Sequence, residues 1–311
     1  MTRYPRIMGW RLLMMLHTMD ARGYCMHGLL TTALRCLLSL SLLATQACSV
    51  RHYAMNTLGD ALAGGGDTYA ADGDIEFVGA ATPFGLKTIE SLLSEVPEHR
   101  ALLLAAARGF TQYAYVYVQA PAESLIERDV DAGYAQQARA RALYVRARDY
   151  GLRGLRLDKD NVALLYWTAV AWAAAISLSK DDPAMLAGLP EVDKLIRRAQ
   201  SLDADFDYGT LRTFLIGYEM SRPNAAADAE QLARAHFARA VQLTGGGQAG
   251  PYVSLAESVC VEKRARREFE SLLRQALRID VDARPEWRLA NLVMQRRARR
   301  LLARADELFP E

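Results

Sequence analysis

Three acidic residues at alternate positions, Asp72, Asp74 and Glu76, form the part of this sequence that is most similar to a metal-binding loop. A calcium loop of the EF-hand type also needs a glycine at its sharp turn and a bidentate glutamate at its end, and neither stands at the required offset. Acidic side chains interact favourably with the positive end of a helix. The cluster is therefore interpreted as the start of a helix, and we predict no metal site here.

Other motifs that could support chemistry also have simpler explanations. Gly245–Gly250 satisfies a glycine-rich phosphate-binding string, but it follows a helical pattern and not a strand, which favours a turn between helices. Cys260 lies in an apolar run, and free cysteine in such a run is usually a small buried residue. No zinc motif surrounds the isolated histidines His52, His99 and His236. We predict no catalytic residue, no metal and no cofactor.

Two basic runs, Lys263–Arg267 and Arg296–Arg300, raise the question of nucleic acid. The net charge of the chain is only +2, which provides no general attraction for polyanions. Acidic residues alternate with both runs, so we expect a solvated helix face, or contact with an acidic partner or anionic lipid headgroups, and no nucleic acid.

Residues 35–48 have the layout of an export signal: a positive charge, a stretch rich in leucine and serine, then small residues before a cysteine. The apolar stretch is shorter than the roughly 20 residues of a membrane-spanning helix. We therefore predict that residues 1–47 are a signal peptide, with Met26 as an alternative start.

The end of this segment predicts a lipid anchor. Residues 43–48 resemble a bacterial lipobox, so Cys48 is the expected lipidation site and residues 48–311 the expected mature domain. Ser49 resembles the residue that directs such lipoproteins to the outer membrane, facing the periplasm. The alternative is a cleaved secretory signal that leaves Cys48 as an ordinary thiol. Both alternatives place the domain outside the cytoplasm.

The periodicity of the remaining chain predicts an all-α protein. Half of the residues (51%) are hydrophobic, which allows a large core. Apolar residues recur at helical spacing, and no sustained run alternates as a half-buried strand would. Glycine and proline breakers, among them Pro83, Pro121 and Gly245–Gly247, are expected to separate about a dozen helices.

A repeat lies within this helical pattern. Four segments resemble the second helix of a tetratricopeptide (TPR) repeat, in which small and bulky apolar residues alternate before Leu-Asp: 147–158, 192–203, 233–244 and 269–280. Matching first helices precede them at 110–117, 165–172, 211–218 and 253–260. The spacings between repeats exceed the 34 residues of a regular array. We therefore predict a degenerate TPR-like solenoid of helix pairs, a fold whose concave face serves for binding.

The sequence around the first repeat resembles the T-component (TatT-like) family of tripartite ATP-independent periplasmic (TRAP) transporters. An acidic turn, a Pro-Phe-x-Leu-Lys motif, a Pro-x-His motif and an aromatic Gln-Tyr-Ala-Tyr helix follow in that order at 72–78, 83–87, 97–99 and 110–119. The resemblance implies a periplasmic lipoprotein that forms a homotrimer. It also implies association with a substrate-binding P-component and transfer of a small hydrophobic ligand towards a permease.

By analogy with TPR grooves, one face of the first helices is the expected ligand site. It comprises Thr111, Tyr115, Val118, Gln119, Tyr166, Val170, Arg212 and Ile216. Its apolar part suits an apolar ligand, and Arg212 could pair with a carboxylate. The alternative is that Tyr115 and Tyr166 pack against helices inserted into the groove.

Two functions follow from this interpretation. The first is a ligand-binding or ligand-passing component of a TRAP-type system that acts with a periplasmic binding protein. The second is a TPR scaffold lipoprotein that organises envelope proteins and binds no small molecule. Both use the same concave face.

Overall fold

A computed structural model describes residues 51–222 and 227–310. The signal peptide of residues 1–47 and the lipidation site Cys48 lie outside the described residues. By its contacts the chain divides after Met55, and Asn56–Glu311 form the larger unit. Among the described residues, no helix is both long enough and apolar enough to cross a membrane.

The expected all-α fold with about a dozen helices is confirmed, since the described residues contain helices and no strand. Residues 51–63 are helical and are labelled α1. The helices that follow are α2 (Gly66–Ala70), α3 (Ile75–Glu95), α4 (Arg100–Tyr113), π1 (Ala114–Gln119), α5 (Ala120–Ile126), α6 (Val130–Leu157), α7 (Val162–Ser177), α8 (Pro183–Leu186), α9 (Leu189–Leu202), α10 (Phe206–Ser221), α11 (Ala229–Thr244), α12 (Gly250–Leu255), π2 (Ala256–Cys260), α13 (Arg266–Arg278), a 3₁₀ turn (Pro285–Trp287), α14 (Arg288–Ala303) and α15 (Ala305–Leu308).

Local sequence signals explain many of the helix ends. Asp74 caps α3, since its carboxylate accepts a hydrogen bond from the Phe77 amide at 2.9 Å. The acidic cluster at 72–76 therefore begins a helix, as expected. Gly245 ends α11 in the left-handed conformation and confirms the turn that we expected at the glycine string.

Two of the expected breakers, Pro83 and Pro121, do not interrupt a helix, and Pro121 lies at the start of α5, which continues directly from π1. Pro83 lies inside α3, which runs without interruption for 21 residues. A proline in a helix interior removes one backbone hydrogen bond and costs about 3 kcal/mol. Buried residues on both sides of it, Val78 and Leu86, hold the helix on the core. Burial of the whole apolar face outweighs the local cost.

The four helix pairs pack as the repeat predicted: α4 on α6, α7 on α9, α10 on α11, and α12 on α13. The repeat positions on the second helices are largely buried, including Ala147 and Gly151 on α6, Ile196 on α9, and Leu273 on α13. Small residues stand where two helices approach closely. The pattern of small and bulky residues therefore encodes the pairing.

Two segments of the chain form π-helix, which has a larger radius than α-helix. The π-helices π1 and π2 continue the first helices of the first and last repeats, at nearly equivalent repeat positions. A π-turn is uncommon and often marks a functional site, because its extra residue redirects the side chains around it.

Candidate functional site

A cleft lined by three arginines lies between α5, π2 and α14, the last long helix. Its volume is about 130 Å³. We call it the arginine cleft, and it is lined by Glu123, Glu257, Val261, Arg297, Arg300, Leu301, Arg304 and Leu308.

Arg297 is the central side chain of the arginine cleft. It forms a two-pronged pair with Glu257 of π2, in which Nε donates to Oε2 at 2.8 Å and Nη2 donates to Oε1. Its Nη1 donates to Glu123 of α5 at 3.1 Å. Its guanidinium lies 5.8 Å from the centre of the Tyr115 ring of π1. One guanidinium therefore touches both π-helical repeats.

Arg300 of α14 and Arg304, the residue that directly follows α14, extend these contacts. Arg300 donates to the carbonyl of Ala120 at 2.7 Å and pairs with Glu123 at 3.2 Å. Arg304 pairs with Glu127 at 3.2 Å. Arg297, Arg300 and Arg304 are three and four residues apart, so they share one face of a helix.

A short hydrogen-bond chain positions the glutamate opposite them. The Tyr144 hydroxyl of α6 donates to the side-chain oxygen Oε1 of Gln119 at 2.6 Å, and the side-chain Nε2 of Gln119 donates to Glu123 at 3.4 Å. Tyr144 is buried, which fixes this chain to the core of the first repeat.

The pKa values of Arg297 and Tyr115 are both shifted by their surroundings. Burial alone would lower the pKa of Arg297, but the carboxylates of Glu257 and Glu123 outweigh it, so the pKa is raised and the guanidinium remains charged. Burial raises the pKa of Tyr115 to about 12, although the charge of Arg297 opposes this, so the hydroxyl remains protonated.

The basic run of α14 was expected to be a solvated face, or to contact an acidic partner or anionic lipid headgroups. Three of its arginines pair with acidic residues of the same chain: Arg296 with Glu76, Arg297 with Glu257 and Glu123, and Arg300 with Glu123. Arg296 and Arg299 are exposed, as a solvated face predicts, whereas Arg297 and Arg300 are largely covered. The acidic partners come from distant parts of the sequence, and the fold places them next to α14.

The eight expected groove residues are not all in one place. Tyr115 and Gln119 are half-buried beside the arginine cleft. Thr111, Val118 and Ile216 are buried. Tyr166 is also buried, with Trp167, Phe206 and Phe214 around its ring at 5.0 to 6.2 Å between centres. Val170 packs against the same apolar cluster. A role for this set in ligand binding stays a prediction.

Arg212, the expected carboxylate partner, is already paired. Its Nε lies 3.3 Å from Asp205, and its Nη1 lies 3.3 Å from His236 Nδ1. Its contacts are thus to α11 and to the start of α10, and not to the arginine cleft.

We expect His236 to make stability depend on pH. It is 6% exposed, and burial together with the charge of Arg212 lowers its pKa to about 4. An unfolded histidine has a pKa of about 6.5, so between these values the unfolded chain binds a proton that the folded chain excludes. Stability should therefore fall as pH falls from about 6.5 to 4, by roughly 1 kcal/mol per pH unit. Urea unfolding of the wild type and His236→Gln should converge as the pH is lowered through this window; parallel pH profiles would contradict the prediction.

Cys260 is fully buried in the C-terminal core, and burial raises the pKa of its thiol to about 12. The thiolate is the reactive form, so this cysteine is inert packing, as expected.

Comparison with known proteins agrees with this architecture. The chain is 25% identical over 312 residues to an uncharacterized protein of Treponema pallidum (strain Nichols), a match that covers 88% of this chain and 97% of that protein. The sequence profile of a family described as TRAP transporter T-component matches residues 71–158 and 155–309. The description names a transport component and not an enzyme. The resemblance in the first repeat is confirmed, and the chain belongs to the TRAP transporter T-component family.

Proposed function

We propose that the protein binds a small ligand with an apolar body and a carboxylate in the arginine cleft, and passes it on within a TRAP-type transport system. A role in TRAP transport follows from the family. The cleft supports the ligand class because arginines and aliphatic side chains line the same small volume. Arginine is the side chain that matches a carboxylate with two parallel hydrogen bonds.

The charges that line the cleft and its volume limit the class of ligand that it can bind. Three arginines and two glutamates line the cleft, and Arg304 is also paired with Glu127 and Glu307, so a monoanion binds by replacing a glutamate on one of the arginines. Val261, Leu301 and Leu308 offer an apolar wall to the rest of the molecule. An apolar cavity of about 150 Å³ holds benzene, so a cleft of about 130 Å³ suits a ligand of similar or smaller size.

The wider setting of this proposal is periplasmic. The protein is anchored through a lipid on Cys48, on the periplasmic side of the outer membrane, and assembles as a homotrimer. Its partner is a periplasmic substrate-binding protein, the P-component. The support for these points is the export signal and lipobox of residues 35–48 and the family.

The anchor can be tested directly. Replacing Cys48 with serine should move the protein from the membrane fraction to the soluble periplasmic fraction and abolish labelling by a radioactive fatty acid, because an acyl chain gains about 0.8 kcal/mol per buried methylene. Replacing Cys36 with serine serves as the control. If the Cys48→Ser protein keeps its label and stays with the membrane, Cys48 is not the lipidation site.

The ligand class can be tested with butyrate and with butylamine, which has the same chain and the opposite charge. Isothermal titration calorimetry should detect butyrate and not butylamine. Arg300→Gln should weaken butyrate binding by about tenfold or more, since a hydrogen bond to a charged group contributes about 1.5–3 kcal/mol. Arg299→Gln, an exposed neighbour on the same helix, should bind as the wild type does. Equal affinity of both variants would contradict the proposed site.

One observation favours the scaffold function as a second candidate. Phe77 and Phe84, two helical turns apart on α3, are 65% and 79% exposed. Exposed aromatic side chains are typical of protein contacts. A Phe77→Ser, Phe84→Ser variant should lose a protein partner in envelope cross-linking if the scaffold function holds. Under the ligand-binding function the same variant keeps its affinity for butyrate.

A further inference from the structure

We propose that α5 and α14 form a latch, held shut by arginine–glutamate pairs, which opens when an external carboxylate replaces Glu123 on Arg297 and Arg300. The inference rests on the proposed function, because the carboxylate is the ligand's head group. The latch joins the first repeat to the C-terminal repeat, whose positions in the sequence are more than 170 residues apart.

Polar contacts cross the boundary between these two helices. Arg297 and Arg300 reach Glu123, Arg300 also reaches the carbonyl of Ala120, and Arg304 reaches Glu127. The apolar clusters end on either side. The cluster of the first repeat contains residues 113–185, whereas the C-terminal cluster contains residues 216–309. These two clusters have no member in common, and a boundary held by polar contacts can open without exposing either of them.

Each side of the latch keeps its shape when the other is removed. Glu257 holds Arg297 through a two-pronged pair from within the C-terminal repeat. Gln119 and Tyr144 hold Glu123 from within the first repeat. When Glu123 leaves, Arg297 therefore remains pointed into the cleft and ready to bind an anion.

The exchange replaces one carboxylate with another. Arg297 and Arg300 would otherwise lose a charged partner, and an unpaired buried charge is strongly unfavourable. A ligand carboxylate supplies the same acceptor oxygens, so the arginines stay paired while α5 is released. About a quarter of the Glu123 side chain is exposed, so solvent and a small anion can reach it.

The π-helix π1, which leads directly into α5, can act as a hinge for the released segment. π1 ends at Gln119, and α5 begins at the next residue. A π-turn can rewind to α-helix by shifting its hydrogen bonds by one residue, which changes the direction of the helix that follows. Hydrogen exchange of the segment 114–128 should therefore report the state of the latch.

The test measures hydrogen–deuterium exchange by mass spectrometry on the full chain. Glu123→Gln should speed exchange in residues 114–128 by about tenfold, the effect of losing one charge-assisted hydrogen bond. Arg304→Gln removes a charge on the α14 side of the latch and should also speed exchange in residues 114–128. Glu98→Gln, an exposed carboxylate outside the latch, should leave the segment unchanged. Peptides from the α6–α7 interface should exchange normally in every variant, which shows that the fold is intact.

Butyrate provides the second half of the test. In the wild type it should speed exchange in residues 114–128, and sodium chloride at equal ionic strength should not. In Glu123→Gln, butyrate should cause no further increase in exchange, because the latch is already open. Unchanged exchange in Glu123→Gln and Arg304→Gln overturns the latch. Calorimetric binding of butyrate with unchanged exchange overturns the latch and leaves the proposed function standing, whereas the absence of both binding and exchange effects overturns both.

Discussion

Replacing Glu219 with alanine is expected to lower the free energy of unfolding by about 2–4 kcal/mol. Glu219 lies on α10 and is 1% exposed. Arg197 of α9 donates to one carboxylate oxygen and Arg222 to the other, each at 2.8 Å. Burial alone would raise the pKa of Glu219, but the hydrogen bonds and charges of Arg197 and Arg222 outweigh it and lower the pKa, so the group is ionised in the folded protein.

The loss is large because alanine removes the shared partner of two cations that the fold holds close together. It also leaves a cavity where the carboxylate stood. The arginines retain some contact with water, which keeps the expected loss below that of a fully buried pair.

A matched control separates burial from charge. Asp160→Ala breaks a pair with Arg198 in which both side chains are about half exposed. Such surface pairs contribute about 0–1 kcal/mol. Chemical denaturation should therefore place Asp160→Ala close to the wild type and Glu219→Ala far below it. Similar midpoints for the two variants would show that the buried pair contributes no more than a surface pair.

Replacing Gly151 with valine is expected to destabilise the protein by about 3 kcal/mol or more. A Cβ atom at this position would lie 2.1 Å from Thr168 Oγ1 and 3.3 Å from the Thr168 backbone. Thr168 is fully buried on α7, and its hydroxyl donates to the Leu164 carbonyl, so it cannot rotate away. The larger side chain therefore forces α6 and α7 apart.

Rescue and control variants locate the cause of this effect. Thr168→Ala removes the nearest atom and should recover part of the stability of Gly151→Val. Gly250→Val places its Cβ 3.5 Å from Thr213, an ordinary contact distance, so it should be tolerated better. Thermal unfolding followed by circular dichroism compares the wild type, Gly151→Val, the double variant Gly151→Val, Thr168→Ala, and Gly250→Val. A midpoint for Gly151→Val equal to that of Gly250→Val would contradict close packing of α6 on α7.

Local signals in the sequence were sufficient for the helices and their pairing. Asp74, Asp129 and Asn161 each accept a hydrogen bond from the first turn of a helix, as side chains of these types do at helix starts. The small residue Gly151 stands where the repeat pattern requires close approach. These features depend on neighbours within a few residues, so they can be inferred from the order of the residues.

The assignment of the groove depended on more than repeat spacing. TPR analogy places Tyr115 and Ile216 at equivalent positions, yet Tyr115 lies half-buried beside Arg297 and Ile216 is fully buried. The inserted π1 turn and the differing neighbours of each repeat change which side chains face outward. A degenerate repeat therefore preserves the pairing of helices better than the exposure of a given position.

The sequence by itself determined the helical class, the repeat, the family and the interpretation of Cys260 as packing. Only the tertiary structure decided where the arginines of α14 go. Glu123 and Arg297 are 174 positions apart, and no local pattern relates a carboxylate on α5 to a guanidinium on α14. Their pairing arises because the stacked repeats bring α14 next to α5 of the first repeat, where opposite charges attract each other over a short distance.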